Sequence, residues 1–335
     1  MHDTMGAHFS SMVSQTFPPK PAFTERDLPS LKGKVYIVTG ANTGVGKELA
    51  RLLYSKDATV YILARSEGKA NKAIEDIKEA YPTSKGVLRF LFLDLNDLST
   101  IKPTVEKFLS IESKLHVLFN NAGVQTATPG IPKTVQGYEH HLGINCLGTF
   151  ALTKLLTPIL ISTAQAEKPN SGLVRVIWVS SSGTEISGEK SVGIQMDNLD
   201  YHIEKPYLYK YSASKTGNWM HGVEYAKRHR ADGIISIALN PGNLGSDLYR
   251  DAGLGLRLVT KLITYPPVNG AYTELFAGLS PDITLEKTGS WVVPFGRIMP
   301  IRKDLLDATK SEDEGGNGTA RKFWDWTEEQ VKPFI

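Results

Sequence analysis

Apolar and polar positions along this 335-residue chain fall into a repeating two-part pattern. Short runs that are continuous in apolar, largely β-branched residues alternate with longer stretches in which apolar residues recur at helical spacing. "KVYIVTG" predicts a strand and residues 45–56 a helix; "TVYILAR" predicts a strand and Lys69 to Ala80 a helix. The alternation continues with "LRFLFLDL", a helix from Ser99 to Ser113, "LHVLFNNAG", and a helix over residues 144–163. "VRVIWVSS", a helix from Tyr211 to Arg230, and "IISIALNPG" complete it. Strands this apolar are covered on both faces, so the pattern predicts an α/β fold with a parallel, doubly wound central sheet. No internal repeat or long linker breaks it. One domain is expected over residues 32–300, with a loose N-terminal arm at 1–31, a decorated C-terminal half, and an extension at 301–335 whose closing helix begins near Thr319.

Charge changes this picture little. The net charge of +3 comes from 38 basic and 35 acidic residues spread along the chain, so no single-sign field points to nucleic acid or to an anionic membrane. The densest basic run, Lys227 to Arg230, reads as a helix C-terminus, where cations meet the negative end of the dipole. The single cysteine, Cys146, excludes an internal disulfide framework, provides no metal cluster, and suits a reducing, cytoplasmic setting. Residues 1–30 lack the apolar core of a signal peptide, so the sequon at Asn317 is expected to be unmodified. The apolar stretch from Ile144 to Ile161 approaches membrane-spanning length but carries Lys154 and Pro158, and reads as a buried helix. "SEDEGGNG" before the last helix is expected to be a mobile surface loop, and Trp324 and Trp326 to be packing residues.

The first strand runs into "TGANTGVG", with Gly40, Gly44 and Gly46 directly ahead of a helix. Such glycines let backbone approach a pyrophosphate at the helix N-terminus, where unpaired N–H groups favour negative charge. A phosphate-binding Walker loop would need glycine at Val45 and a hydroxyl residue two places on, where Lys47 stands, so a P-loop NTPase does not fit. The spacing Thr39-Gly40-x-x-x-Gly44-x-Gly46 resembles that of the short-chain dehydrogenase/reductase family. Further elements follow in the family's order: Asp94-Leu95, Asn120 to Gly123, Asn145, Ser180-Ser181, Tyr211 with Lys215, and Pro241-Gly242. The likeness spans about Lys32 to Pro300 and implies a Rossmann fold.

The resemblance implies a dinucleotide bed formed by Gly40, Asn42, Thr43, Gly44, Val45 and Gly46. It adds Asp94 and Leu95 at the adenine, Asn121, Ala122 and Gly123 beneath the cofactor, and Pro241, Gly242, Leu244 and Ser246 at the nicotinamide end. At the end of the second strand an acid would bond the ribose hydroxyls of NAD; here Arg65 stands instead, able to grip a 2′-phosphate with two donors, which favours NADP(H). Glu67 lies close by, but its place after Ser66 suits the first turn of a helix.

"YLYKYSASK" offers three tyrosines, and an i, i+4 lysine on a helix favours the phenolate of its partner. Tyr81/Lys85 and Tyr201/Lys205 share that spacing, yet Pro82 and Pro206 deny both a continuing helix. Tyr211 opens a proline-free run and pairs with Lys215, whereas Tyr207 and Tyr209 have no lysine at that offset and Tyr209 falls ahead of the predicted helix. Tyr211 is therefore the candidate proton donor. By resemblance, Tyr211 and Lys215 would also contact the cofactor, with Lys215 at the nicotinamide ribose; Ser181 would polarise a carbonyl with Ser182 the second choice, and Asn145 would hold a water linking Lys215 to solvent. The gap of about thirty residues between Ser181 and Tyr211 resembles that of retinol-dehydrogenase-like members, and both chain ends resemble filamentous fungal ones.

These readings lead to an NADP(H)-dependent oxidoreductase interconverting a carbonyl and an alcohol on a hydrophobic small molecule, with secondary metabolism as the setting that fungal likeness suggests. Residues 245–267, with Leu254, Leu256, Leu258, Leu262 and Ile263 between flexible glycines, read either as an apolar lid or as a helix with core leucines. The alternative function is a catalytically silent dinucleotide sensor or interaction module, against which the intact Ser181, Tyr211 and Lys215 argue. A thiol catalyst at Cys146 lacks a basic neighbour. The family's usual pairing helices, 99–113 and 144–163 here, leave room for a homo-oligomer unless the long tail covers them.

Overall fold

The computed structural model describes residues 11–126, 133–167, 172–245 and 264–335. Its centre is β1 (Val35–Thr39), all five residues of which are buried. Val35 and Ile37 point into one apolar cluster and Tyr36 and Val38 into the other, which is the two-sided burial that a continuous apolar run requires. Each such aliphatic side chain contributes about 1.5–3 kcal/mol on burial. Around β1 stand β2 (Thr59–Ala64), β3 (Val87–Phe92), β4 (Val117–Asn120), β5 (Arg175–Val179), β6 (Ile235–Leu239), β7 (Trp291–Val293) and β8 (Arg297–Met299).

These strands form one sheet in the order β3-β2-β1-β4-β5-β6-β7-β8, parallel except for the β7–β8 pair. The chain first builds outward from β1 to β3 and then restarts on β1's other side at β4, with Tyr36 opposite both Val60 and Val117. That reversal opens a crevice at the carboxyl ends of β1 and β4, the expected place for a ligand in a doubly wound sheet. The antiparallel β8 edge was not legible in the sequence pattern, because β7 and β8 are three residues each and are joined by a tight turn.

One layer of helices comprises α1 (Gly44–Tyr54), α2 (Glu67–Ala80) and, later in the chain, Pro267–Leu279. The opposite layer holds α3 (Ile101–Leu109), α4 (Thr149–Ala166), which continues from a π-helical stretch at Leu142–Gly148, and α6 (Tyr207–His229). Between β5 and α6 lies the short α5 (Gly183–Ser187). Further helices among the described residues are α7 (Pro267–Leu279), α8 (Lys303–Ala308) and the closing α9 (Thr319–Val331), with a short helix at residues 11–16 ahead of β1.

The span Leu142–Ala166 is long and apolar enough to cross a membrane, yet 78% of its apolar window is buried inside the protein, as expected of a core helix. Its polar residues are accounted for: Lys154 pairs with Glu328 of α9 at 2.5 Å, and the Thr157 hydroxyl meets that of Tyr225 at 3.0 Å. Trp324 is a packing residue, edge-on to Phe150 at 4.6 Å with the Arg228 guanidinium 4.7 Å from its ring. Lys227, Arg228 and His229 close α6 as the dipole argument predicts.

Two expectations need correction. Tyr209 lies inside α6 and not ahead of it, because Pro206 stands just outside as the N-cap and the helix begins at Tyr207. Its hydroxyl donates to Glu189 at 2.9 Å, tying down the long excursion between Ser181 and Tyr211. The second correction concerns the N-terminal arm, which is docked and not loose in its described part. Residues 11–16 form a helix, and Gln15 is only 3% exposed.

Gln15 donates to the Glu185 carboxylate at 2.7 Å and accepts from the Asn240 amide at 2.9 Å. It thereby ties α5, which follows Ser181, to the Asn240-Pro241-Gly242 turn. Gln15→Leu would leave both partners buried and short of a bond, at about 1–3 kcal/mol each. Expected from that variant is a lowered thermal midpoint; an unchanged midpoint would show the strap to be dispensable.

Candidate active site

At the crevice the turn after β1 is built by contacts as much as by glycine freedom. Gly44 has φ +57° with nothing within 4 Å of an added Cβ, so its backbone opens directly onto the cleft at the start of α1. Gly46 does something else: a Cβ there would stand 2.5 Å from Asn121 Nδ2 and 2.9 Å from Gly40 O, so this glycine lets α1 pack against the turn and does not line the cleft. The expectation that all three glycines face the ligand is corrected accordingly. Asn121 donates to Thr39 O at 2.7 Å and the Ala122 amide donates to the Thr39 hydroxyl at 2.9 Å, which locks the ends of β1 and β4 together.

The cleft has a volume of about 900 Å³. Gly40, Asn42, Thr43, Gly44 and Val45 line it, as do Arg65, Asp94, Leu95 and Asn121 to Gly123. Sequence reasoning stopped at Arg65 and missed Lys47, Lys69 and Lys72 beside it. Lys69 and Lys72 share a helical face three residues apart, so they were readable once α2 was placed. The Asp76 carboxylate holds Lys47 at 2.6 Å and Lys72 at 2.8 Å, and these bonds keep its pKa low, at about 2. Glu67 opens α2 on an exposed position and is not part of the cleft lining.

A second chamber of about 290 Å³ adjoins the cleft and shares Val45, Asn121, Gly123, Val124 and Gln125 with it. It brings Ser181, Ser182, Tyr211 and Lys215 together with Pro241, Gly242 and Leu244. Ser246 and the apolar residues 253–263 lie outside the described residues. The Ser181 hydroxyl accepts from the Gly183 amide at 3.1 Å, while Ser180 is turned inward and donates to Lys215 O at 2.7 Å.

Lys215 is buried on α6, one helical turn after Tyr211, with its ammonium 5.9 Å from the Tyr211 ring centre and donating to Val179 O at 3.0 Å. Burial pushes its pKa down to about 8. Tyr211 also packs edge-on against His141, ring centres 6.1 Å apart, a neighbour that sequence reasoning did not single out. His141 is itself fixed, with Nδ1 2.8 Å from the Glu139 carboxylate and Nε2 accepting from the Thr126 amide at 3.2 Å. A His two residues after an acid was the available signal.

Asn145 sits in the π-helical turn behind the chamber and is fully buried. Its Oδ1 accepts from the Val124 amide at 2.8 Å and its Nδ2 donates to the Ser214 hydroxyl at 2.9 Å. The side chain therefore clamps the segment after β4 onto α6, next to Lys215. Cys146 is buried, its thiol donating to Ser214 O at 2.9 Å and its pKa pushed up by desolvation, which makes it a packing residue and not a nucleophile.

This arrangement can align a dinucleotide along the cleft, present a hydroxyl acid at the chamber, and hold a cation beneath it. Comparison with known proteins agrees with that chemistry. The family profile described as short chain dehydrogenase matches residues 34–192. The short-chain dehydrogenase/reductase bet4 of Neocamarosporium betae is 53% identical across 97% of this chain and 94% of its own. A short-chain dehydrogenase/reductase of Phomopsis amygdali is 55% identical across 96% of each. Among solved structures, an uncharacterized protein from Mycobacterium paratuberculosis superposes with a TM-score of 0.66 at 28% identity, covering 92% of this chain and 97% of that one. With relatives this similar over nearly its whole length, and with the cleft and chamber where the fold puts them, this chain belongs to the short-chain dehydrogenase/reductase family and is a nicotinamide-dinucleotide oxidoreductase.

Proposed function

We propose that the protein is an NADP(H)-dependent carbonyl/alcohol oxidoreductase acting on a hydrophobic small molecule. The observation that carries this reading is the meeting of Ser181, Tyr211 and Lys215 in one chamber that opens from the dinucleotide cleft. The residues fit the cofactor: Gly44 leaves a cradle open at the N-terminus of α1, and Arg65 and Lys69 offer cations where a 2′-phosphate would lie. A bound nicotinamide would supply the hydride. Tyr211 gives the proton to the carbonyl oxygen, Ser181 holds that oxygen with its hydroxyl, and the Lys215 ammonium favours the phenolate that Tyr211 leaves behind. Asn145 keeps the floor beneath Lys215 in register.

Substrate hydrophobicity is supported by Ile186 and Leu208, which line the chamber while being 62% and 50% exposed. Large apolar side chains so placed are suited to an apolar ligand. The fungal origin of the relatives supports a place in secondary metabolism, and a lone, buried cysteine suits the cytoplasm. Catalysis belongs to the 32–300 body, with 1–31 as arm and 301–335 as extension.

A test is fluorescence titration with both reduced dinucleotides, followed by loss of nicotinamide absorbance over a panel of apolar ketones and aldehydes. Binding with turnover supports the proposal; binding without turnover in either direction would replace it with a silent sensor. The chain is also expected to be a monomer in light scattering, because α9 packs along α4 and α6 and buries Phe323 and Trp324 against them. A dimer that persists at dilution would contradict this.

A further inference from the structure

The helix α7 packs on α1 and against β5 and β6, and Glu274 is the one charged residue in it. Its neighbours Ala271, Leu275 and Ala277 are fully buried apolar residues, and Glu274 is itself 0% exposed. Neither carboxyl oxygen has a hydrogen-bond partner among the described residues. The side chain nevertheless lines the chamber that contains Tyr211, Lys215 and the Pro241-Gly242 turn. A core position served by packing alone would be filled better by an apolar side chain, since a buried carboxyl without a partner is costly.

Among the described residues lining this chamber, the titratable ones are Glu274 itself and, from α6, Tyr211 and Lys215. Among the described residues, Val45 of α1, residues 121–125 after β4 and the Asn240–Leu244 turn bring no acid, base or histidine to the lining; the segment after β5 carries Glu185, which does not line the chamber and whose carboxylate accepts from Gln15 and Trp291. Desolvation pushes the Glu274 pKa up to about 8, with the Lys215 charge opposing the shift. Near neutral pH the side chain is thus a neutral acid that a nearby positive charge can ionise.

We propose that Glu274 is the counter-charge for the nicotinamide ring, protonated when the neutral reduced ring fills the chamber and ionised, its proton released to solvent, when the cationic oxidised ring does. This rests on the dinucleotide reading above. No direct contact is required, because charge interacts over several ångströms in a dry site. The consequence is a bias of the bound cofactor pair toward the oxidised form, and tighter retention of that form.

The test is calorimetric binding of oxidised and of reduced NADP to the intact protein at pH 7, in buffers of different ionisation enthalpy, which counts protons. Expected is release of close to one proton with the oxidised form and none with the reduced form. In Glu274→Gln the release is lost, and oxidised NADP binds about tenfold more weakly while reduced NADP is unchanged. Equal proton counts for the two forms in the native protein overturn the proposal whether or not the variant folds. Release that persists in Glu274→Gln also overturns it, assigning the proton to the Tyr211–Lys215 pair. If neither form binds, the dinucleotide reading falls and this proposal falls with it.

Discussion

Tyr211→Phe is expected to lower kcat/KM for carbonyl reduction by about 10²–10⁴-fold while leaving dinucleotide affinity unchanged. The ring stays: phenylalanine keeps the edge-on packing against His141 at 6.1 Å and the place of the ring beside the Lys215 ammonium at 5.9 Å. What goes is the hydroxyl, the group in the chamber that a carbonyl oxygen could draw a proton from. Lys215 cannot replace it, because its ammonium points at Val179 O and lies beneath the tyrosine. The loss should fall on kcat more than on KM, since the proton moves only in the transition state. Measuring both constants, with a fluorescence titration of the reduced dinucleotide as control, checks the assignment. A drop confined to KM would make Tyr211 a substrate-packing residue and would move the proton donor elsewhere in the chamber.

The part of this site that sequence could disclose is the part whose chemistry is local. β1 through β6 were readable because each is a short, mostly apolar run, even where Arg89 interrupts β3 and Ser236 interrupts β6, and Tyr211 emerged because Pro82 and Pro206 eliminate its two competitors from continuing helices. The same proline misled the reading of Tyr209, since a residue that breaks a helix internally also starts one well. Long-range pairs were not readable at all. Gln15 meets Asn240 across 225 positions, and nothing near either residue announces the other. Glu274 gave a signal that went unused: a lone charge in the apolar run Pro267–Leu279 is a poor core residue and therefore a candidate for the site. Gly46 shows the reverse error, where a motif was read as one functional unit although its last glycine serves helix packing.

Arg65→Asp should reverse the cofactor choice, weakening NADPH binding about 100-fold or more while leaving NADH binding equal or improved. Arg65 follows β2 directly and lines the cleft beside Lys69. Of the cations there, Lys47 and Lys72 are already engaged by Asp76, whereas among the described residues neither Arg65 nor Lys69 has a carboxylate in ion-pair reach. Arg65, directly at the end of β2, is thus with Lys69 one of the two uncompensated cations there and the one able to hold a 2′-phosphate through two donors. Charge-assisted bonds to such a group contribute about 1.5–3 kcal/mol, and an aspartate adds repulsion against a dianion on top of their loss. Lys69 survives in the variant and limits the effect. The same substitution supplies an acceptor for the two ribose hydroxyls of NADH, the arrangement that suits the unphosphorylated cofactor. Because the site is exposed, raising salt from about 0.05 to 0.5 M should shrink both the native preference for NADPH and the variant's preference for NADH. Dissociation constants for both dinucleotides across that range decide the matter. If Arg65→Asp weakens NADH as much as NADPH, the guanidinium is stacking on the adenine and the phosphate assignment fails; if only NADPH suffers, the charge at the end of β2 sets which reduced pool this enzyme draws on.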